Sequence, residues 1–125
     1  MIIKSLKLKN YRNYDLLNLE FDEHTNIFYG DNAQGKTNIL ESVYLTGTTK
    51  SHRGTKDRDL IKFGQEESHI ETVVEKRGVP FKIDIHLKKN SPKGIAINKI
   101  PIKRASELLI GILLMAIPFG LFFLR

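Results

Sequence analysis

Gly30-Asp31-Asn32-Ala33-Gln34-Gly35-Lys36-Thr37 is the stretch that decides the fold of this chain. It fills every defined position of the phosphate-loop pattern G-x-x-x-x-G-K-[ST]. The spacing follows from the chemistry. Glycines let the backbone curl so that successive N–H groups point inward and cradle phosphate oxygens. A helix opening near Lys36 aims its unpaired N–H groups and positive dipole end at the same anion. Lys36 then reaches the β- and γ-phosphates, and the Thr37 hydroxyl joins a Mg²⁺ shell. At ordinary residue frequencies a chain of this length meets the pattern by accident roughly 0.4% of the time. A nucleoside triphosphate with Mg²⁺ is therefore the expected ligand, held by all eight loop residues, with Thr37 on the metal.

The flanking sequence supports this. Upstream, Asn26-Ile27-Phe28-Tyr29 is a short apolar run of the kind buried on both faces of a parallel sheet. Downstream, Ile39, Leu40, Val43 and Tyr44 recur at helical spacing, and Gly47 offers a stop. Before the loop, Ile2 to Lys9 and Leu16 to Phe21 alternate as strands around a turn at Asn10, Arg12 and Asn13. Beyond the helix, Thr48 to Asp59 reads as an exposed polar loop. Ile70 to Val74 and Phe81 to Leu87 then form a hairpin about Gly78. A short strand at Ile95 to Asn98 follows, and Ile100-Pro101 opens a helical start around Lys103 to Leu109. The expected class is α/β: a P-loop NTPase lobe with a mixed sheet, its parallel P-loop strand and helix joined to an antiparallel β subdomain.

Composition sets the bounds. One domain with a real core fits into 125 residues, at 41% hydrophobic and 27% charged. The absence of cysteine excludes a disulfide framework and any Cys-based zinc or redox site. A net charge of +6 suits an anionic partner. Met1 to Asn10 lacks the unbroken apolar core of a signal peptide, so a cytoplasmic location is expected. The four histidines lie far apart in sequence and show no metal-ligand spacing, which reads as ordinary.

Three further features converge. Asn32 sits two residues after the first loop glycine, the first strand ends in Lys9-Asn10-Tyr11-Arg12-Asn13-Tyr14, and the helix leads into Thr49-Lys50-Ser51-His52-Arg53. Together they resemble the RecF family of bacterial DNA replication and repair proteins, relatives of the Rad50 and SMC ATPases with an ABC-type head. The resemblance runs from Met1 to about Leu109 and includes Ile97 to Arg104 and Ser106 to Leu109. Residues 1–109 are thus expected to be the N-terminal portion of such an ATPase domain, and 110–125 an atypical apolar tail.

The resemblance implies ATP as the nucleotide and an ATP-dependent head-to-head homodimer. It also implies binding to DNA at single-stranded gaps and junctions, action with RecO and RecR, and a role in recombinational repair and the SOS response. It places Arg12 and Asn13 beside the nucleotide, although an arginine in a turn, taken alone, reads as solvated. The basic loop Lys50 to Arg58 holds four Lys or Arg and reads either as a salt-dependent contact to DNA phosphates or as a solvated loop.

Two features depart from the family. No apolar strand ends in Asp followed by Glu, the second acidic (Walker B) site that hydrolysis needs, and the signature segment is missing. This chain alone is therefore expected to bind ATP without turning it over at the family's rate, and a non-hydrolysing nucleotide-binding module stands as an alternative. The second departure is the 17-residue uncharged run from Leu108 to Leu124. It reads as a membrane span, which would make a membrane-anchored P-loop protein, as a buried strand or helix completing the core, or as an out-of-frame or truncated end.

Overall fold

A computed structural model describes residues 2–22, 26–28, 33–102 and 121–123. Strands β1 (Ile2–Tyr11) and β2 (Tyr14–Glu20) form a hairpin, and β3 (Asn26–Phe28) leads toward the phosphate loop. Helix α1 (Ala33–Thr48) follows, then the single turn α2 (Asp57–Leu60). Strands β4 (Glu67–Lys76), β5 (Val79–Lys88), β6 (Gly94–Ile97) and β7 (Ile100–Pro101) come next, and β8 (Leu121–Phe123) lies in the apolar tail.

The strands divide into two sheets. One has six strands in the order β2-β1-β4-β5-β6-β7, antiparallel throughout. The other pairs β3 with β8 in parallel. The expected α/β lobe with an antiparallel subdomain is present, but its parallel and antiparallel pairings lie in separate sheets among the described residues instead of one mixed sheet. The period-2 pattern explains the larger sheet. Leu6 and Leu8 are buried beneath exposed Lys7 and Lys9, while Ile70, Thr72 and Val74 of β4 and Ile83, Ile85 and Leu87 of β5 face the same core. Two irregularities in β1 shift this alternation. The register slips between Ile3 and Ser5, so Ile3 and Leu6 both face inward. Asn10, at φ 52°, lies where the phase shifts again, and Tyr11 is buried along with Leu8.

Helix α1 lays Ile39, Val43 and Leu45 into the core, and a 3.0 Å hydroxyl–hydroxyl hydrogen bond between Thr46 and Thr72 ties it to β4. Gly47 does not stop the helix. It runs on to Thr48, and Thr49 turns away at φ 66° while its N–H bonds Leu45 O at 2.7 Å. The stretch expected to be a wholly exposed loop contains α2, whose Leu60 is fully buried, and Thr49 and Ser51 are buried as well. Arg77 and Gly78, both at positive φ, make the tight β4–β5 turn expected there. Asn98 and Lys99, at φ 50° and 68°, make a second such turn, so Ile100-Pro101 is a strand and not the start of a helix. Pro101 is tolerated because β7 is the sheet edge and needs no further donor. The helix expected over 103–109 lies outside the described residues. In the tail, Leu121–Phe123 is a strand paired in parallel with β3, and the rest of the 108–124 run lies outside the described residues. No helix among the described residues is long and apolar enough to cross a membrane.

Candidate functional site

Of the eight loop residues, Gly30, Asp31 and Asn32 lie outside the described residues, and Ala33 to Thr37 form the opening of α1. Gly35 and Lys36 are buried and Thr37 is half-buried. The Tyr14 hydroxyl, at the start of β2, donates to Gly35 O at 3.1 Å and so pins the helix start to the β1–β2 hairpin. Burial holds the Tyr14 phenol above its ordinary pKa, so it remains a donor.

One helical turn beyond Thr37, Glu41 is the centre of a buried polar cluster. Its side chain has no exposed surface and accepts hydrogen bonds from four residues. Tyr11 Oη donates to Oε1 at 2.6 Å, and Ser51 Oγ to Oε2 at 2.6 Å. Arg12 reaches both oxygens, Nε to Oε1 and Nη2 to Oε2, each at 3.0 Å. Arg53 does likewise from the other side, Nε to Oε2 and Nη2 to Oε1, each at 3.0 Å. Burial by itself would raise the Glu41 carboxyl. The hydrogen bonds from Arg12, Arg53, Ser51 and Tyr11 outweigh it and bring the pKa to about 2. Burial, and then the bond to Glu41, push the Tyr11 phenol well above its ordinary value. The bond to Glu41 likewise raises Arg12 against the opposing effect of burial.

The cluster extends to the second expected contact. Arg53 Nη2 donates to Asn38 Oδ1 at 2.8 Å, and Asn38 Nδ2 donates to Asn13 Oδ1 at 3.1 Å. Arg12 and Asn13 occupy the two-residue turn between β1 and β2, with Arg12 in the left-handed region at φ 53°. That conformation is unfavourable for a residue with a Cβ. It is held by the Arg12 N–H bond to Leu60 O at 2.8 Å, by the guanidinium on Glu41, and by Nη2 on Thr55 Oγ1 at 3.1 Å. The sequence reading thus named Arg12 and Asn13, and the structure brings both against the helix that carries Lys36 and Thr37.

The same reading missed Glu41, Tyr11, Ser51 and Arg53 as one unit. The available signal was a single acid, Glu41, embedded among Ile39, Leu40 and Val43. Arg53 had been grouped with the outward basic loop, whereas its guanidinium is committed to Glu41. Lys50, His52, Lys56 and Arg58 of that loop are exposed. Beside the cluster opens a cleft of about 640 Å³ whose polar lining is Arg12, Asn13 and Asn38 together with Arg58, Asp59, Lys62 and Lys89. One carboxylate facing two guanidiniums leaves a positive surplus next to this cleft, as a polyphosphate site requires. Thr37 offers one hard hydroxyl oxygen at the helix start, which fits Mg²⁺, an ion that takes few protein ligands and fills its shell from phosphate and water.

The AAA domain family model matches residues 5–110. The DNA replication and repair protein RecF of Agathobacter rectalis is 64% identical over 108 residues, covering 86% of this chain and 30% of that protein. A solved structure of the recombination mediator protein RecF-ATP in the RecFOR pathway superposes with a TM-score of 0.78 at 35% identity, over 83% of this chain and 28% of that one. The SMC head domain from Thermotoga maritima shares the fold, with a TM-score of 0.71 at 21% identity, over 86% of this chain and 40% of that one. The chain spans about a third of the length of the curated relatives it matches. With the family model covering most of its residues and RecF proteins matching along the same stretch, the chain belongs to the AAA domain family and is of the RecF type.

Proposed function

We propose that this chain is the ATP-binding part of a RecF-type DNA replication and repair protein. The observation that carries the reading is the placement of Lys36 and Thr37 at the start of α1 with the Arg12 and Arg53 guanidiniums fixed on Glu41 one turn further along. Backbone amides of residues 30–37 grip the polyphosphate, Lys36 supplies the cation, and Thr37 holds Mg²⁺. When bound, the metal neutralises phosphate charge. Arg12 and Asn13, held against α1 through Glu41 and Asn38, stand beside the nucleotide.

The wider role is read from the relatives. The RecF-ATP structure of the RecFOR pathway supports ATP as the nucleotide and RecO and RecR as partners. A repair role brings with it DNA at single-stranded gaps and junctions, the SOS response, an ATP-dependent homodimer and a cytoplasmic location. The exposed cations Lys50, Lys56 and Arg58 suit the salt-dependent part of DNA binding.

The test is equilibrium binding of a fluorescent ATP analogue with and without Mg²⁺, beside GTP as competitor. Saturable, Mg²⁺-dependent binding displaced by ATP supports the reading. A folded protein with no such affinity refutes it.

A further inference from the structure

Two of the four histidines, distant in sequence and in different strands, meet in space. His69 on β4 and His86 on β5 are direct register partners, and their imidazoles stack with centroids 4.1 Å apart and 21° between planes. Glu67 lies two residues before His69 and so on the same face of β4, and its Oε1 is 3.2 Å from His86 Nε2. One ligand-capable atom from each of the three lies within 4.8 Å of the other two. This is the outer face of the hairpin, since Ser68, Ile70, Ile85 and Leu87 point the opposite way into the core.

Two details favour a ligand over a plain ion pair. His86 Nε2 is buried and makes no hydrogen bond among the described residues, so its approach to Glu67 has the distance of a bond without the direction. Stacking also holds the two rings side by side on one face of the hairpin, with a ring nitrogen of each close to the Glu67 carboxylate. The strand beside β5 also leaves room. The partner of His86 on β6 is Gly94, and a cleft of about 300 Å³ lined by Asp84, His86 and Lys93 opens there. The facing charges on the neighbouring positions are Lys9 opposite His69 and Lys88 opposite Glu67.

We infer that Glu67, His69 and His86 form a Zn²⁺ site that staples β4 to β5 on the outer face of the sheet, apart from the phosphate loop. Two imidazoles and a carboxylate are a borderline donor set that suits Zn²⁺ and not Mg²⁺ or Ca²⁺. Bonds of about 2.0–2.2 Å to one ion require the three donor atoms to close to roughly 3.4 Å, which side-chain torsions of the exposed Glu67 and His69 supply around the more buried His86. The fourth position is left to water on the Gly94 side.

Titration calorimetry of the whole chain with zinc chloride, without nucleotide or Mg²⁺, tests the site. One saturable equivalent is expected, weakened at least roughly tenfold by His69→Ala and by His86→Ala. Because His86 is partly buried and its loss can disturb folding, the wild-type chain is also followed by NMR. The Hε1 signals of His69 and His86 are expected to shift together and to saturate at one equivalent of Zn²⁺. No saturable binding, shifts confined to other residues, or unchanged affinity in both folded variants overturns the inference.

Discussion

The Tyr11 hydroxyl donates a 2.6 Å hydrogen bond to Glu41, joining the end of β1 to the middle of α1 across thirty positions of sequence. Tyr11 can reach because the phase shift at Asn10 turns it inward with Leu8, and Glu41 stays charged because two guanidiniums flank it. A carboxylate without solvent is costly to keep charged unless its lone pairs are filled, and here four side chains fill them. The cluster is thus a structural junction that also positions the cations of the proposed site.

Glu41→Ala removes the shared partner of two part-buried arginines, so it is expected to destabilise the fold by about 3–5 kcal/mol. Tyr11→Phe deletes one bond to a charged group and is expected to cost about 1.5–3 kcal/mol. Urea unfolding followed by circular dichroism measures both. A Glu41→Ala loss smaller than that of Tyr11→Phe would contradict the central role of the carboxylate.

Stability should fall steeply in acid. Glu41 is held at about 2 in the folded state against an ordinary 4.5, so the unfolded chain takes up its proton first as pH drops. The stabilisation is complete above about pH 5 and is lost as pH falls through the folded value near 2, roughly 3 kcal/mol from this group. Thermal unfolding between pH 6 and 2.5, compared with Glu41→Gln, should show the wild type losing more stability than the variant across that window.

Arg12 combines an unfavourable backbone with a needed side chain, and two substitutions separate them. Arg12→Gly and Arg12→Ala both delete the guanidinium, yet glycine accepts φ 53° freely. The glycine variant is expected to be more stable than the alanine variant by about 1 kcal/mol, with the two equally weakened in ATP binding. Chemical denaturation beside nucleotide titration reads both. Equal stability would show that the turn carries no strain.

Lys36→Ala is expected to weaken Mg²⁺-dependent ATP binding by roughly ten- to a hundredfold, the worth of one hydrogen bond to a charged group. Arg53→Ala should weaken it less, because its guanidinium is already committed to Glu41 and Asn38. Fluorescence titration of each folded variant gives the order. Arg53→Ala proving the more damaging would move the centre of phosphate binding away from the loop.

The strands with clean period-2 alternation were legible, as were the β4–β5 turn at Gly78 and the helix that follows the G-x-x-x-x-G-K-T motif, because each is set by local residue types. What escaped was set by distant partners. The burial of Glu41 and the inward turn of Arg53 depend on β1 and the segment after α1 converging on the helix, which no spacing in the sequence encodes. The pairing of His69 with His86 follows from hairpin register, and only fixing the turn at Arg77-Gly78 reveals it. Ile100-Pro101 was misread as a helical start because the Asn98-Lys99 turn lacks glycine, the usual residue at positive φ.

The strand that delivers the chain to its phosphate loop has as its neighbour a segment 95 positions later in sequence, Asn26 beside Leu121 and Phe28 beside Phe123. Closing so long a loop is slow compared with zipping the β4–β5 hairpin, whose partners are near in sequence. The large sheet can therefore form before the strand ahead of the phosphate loop gains its distant neighbour.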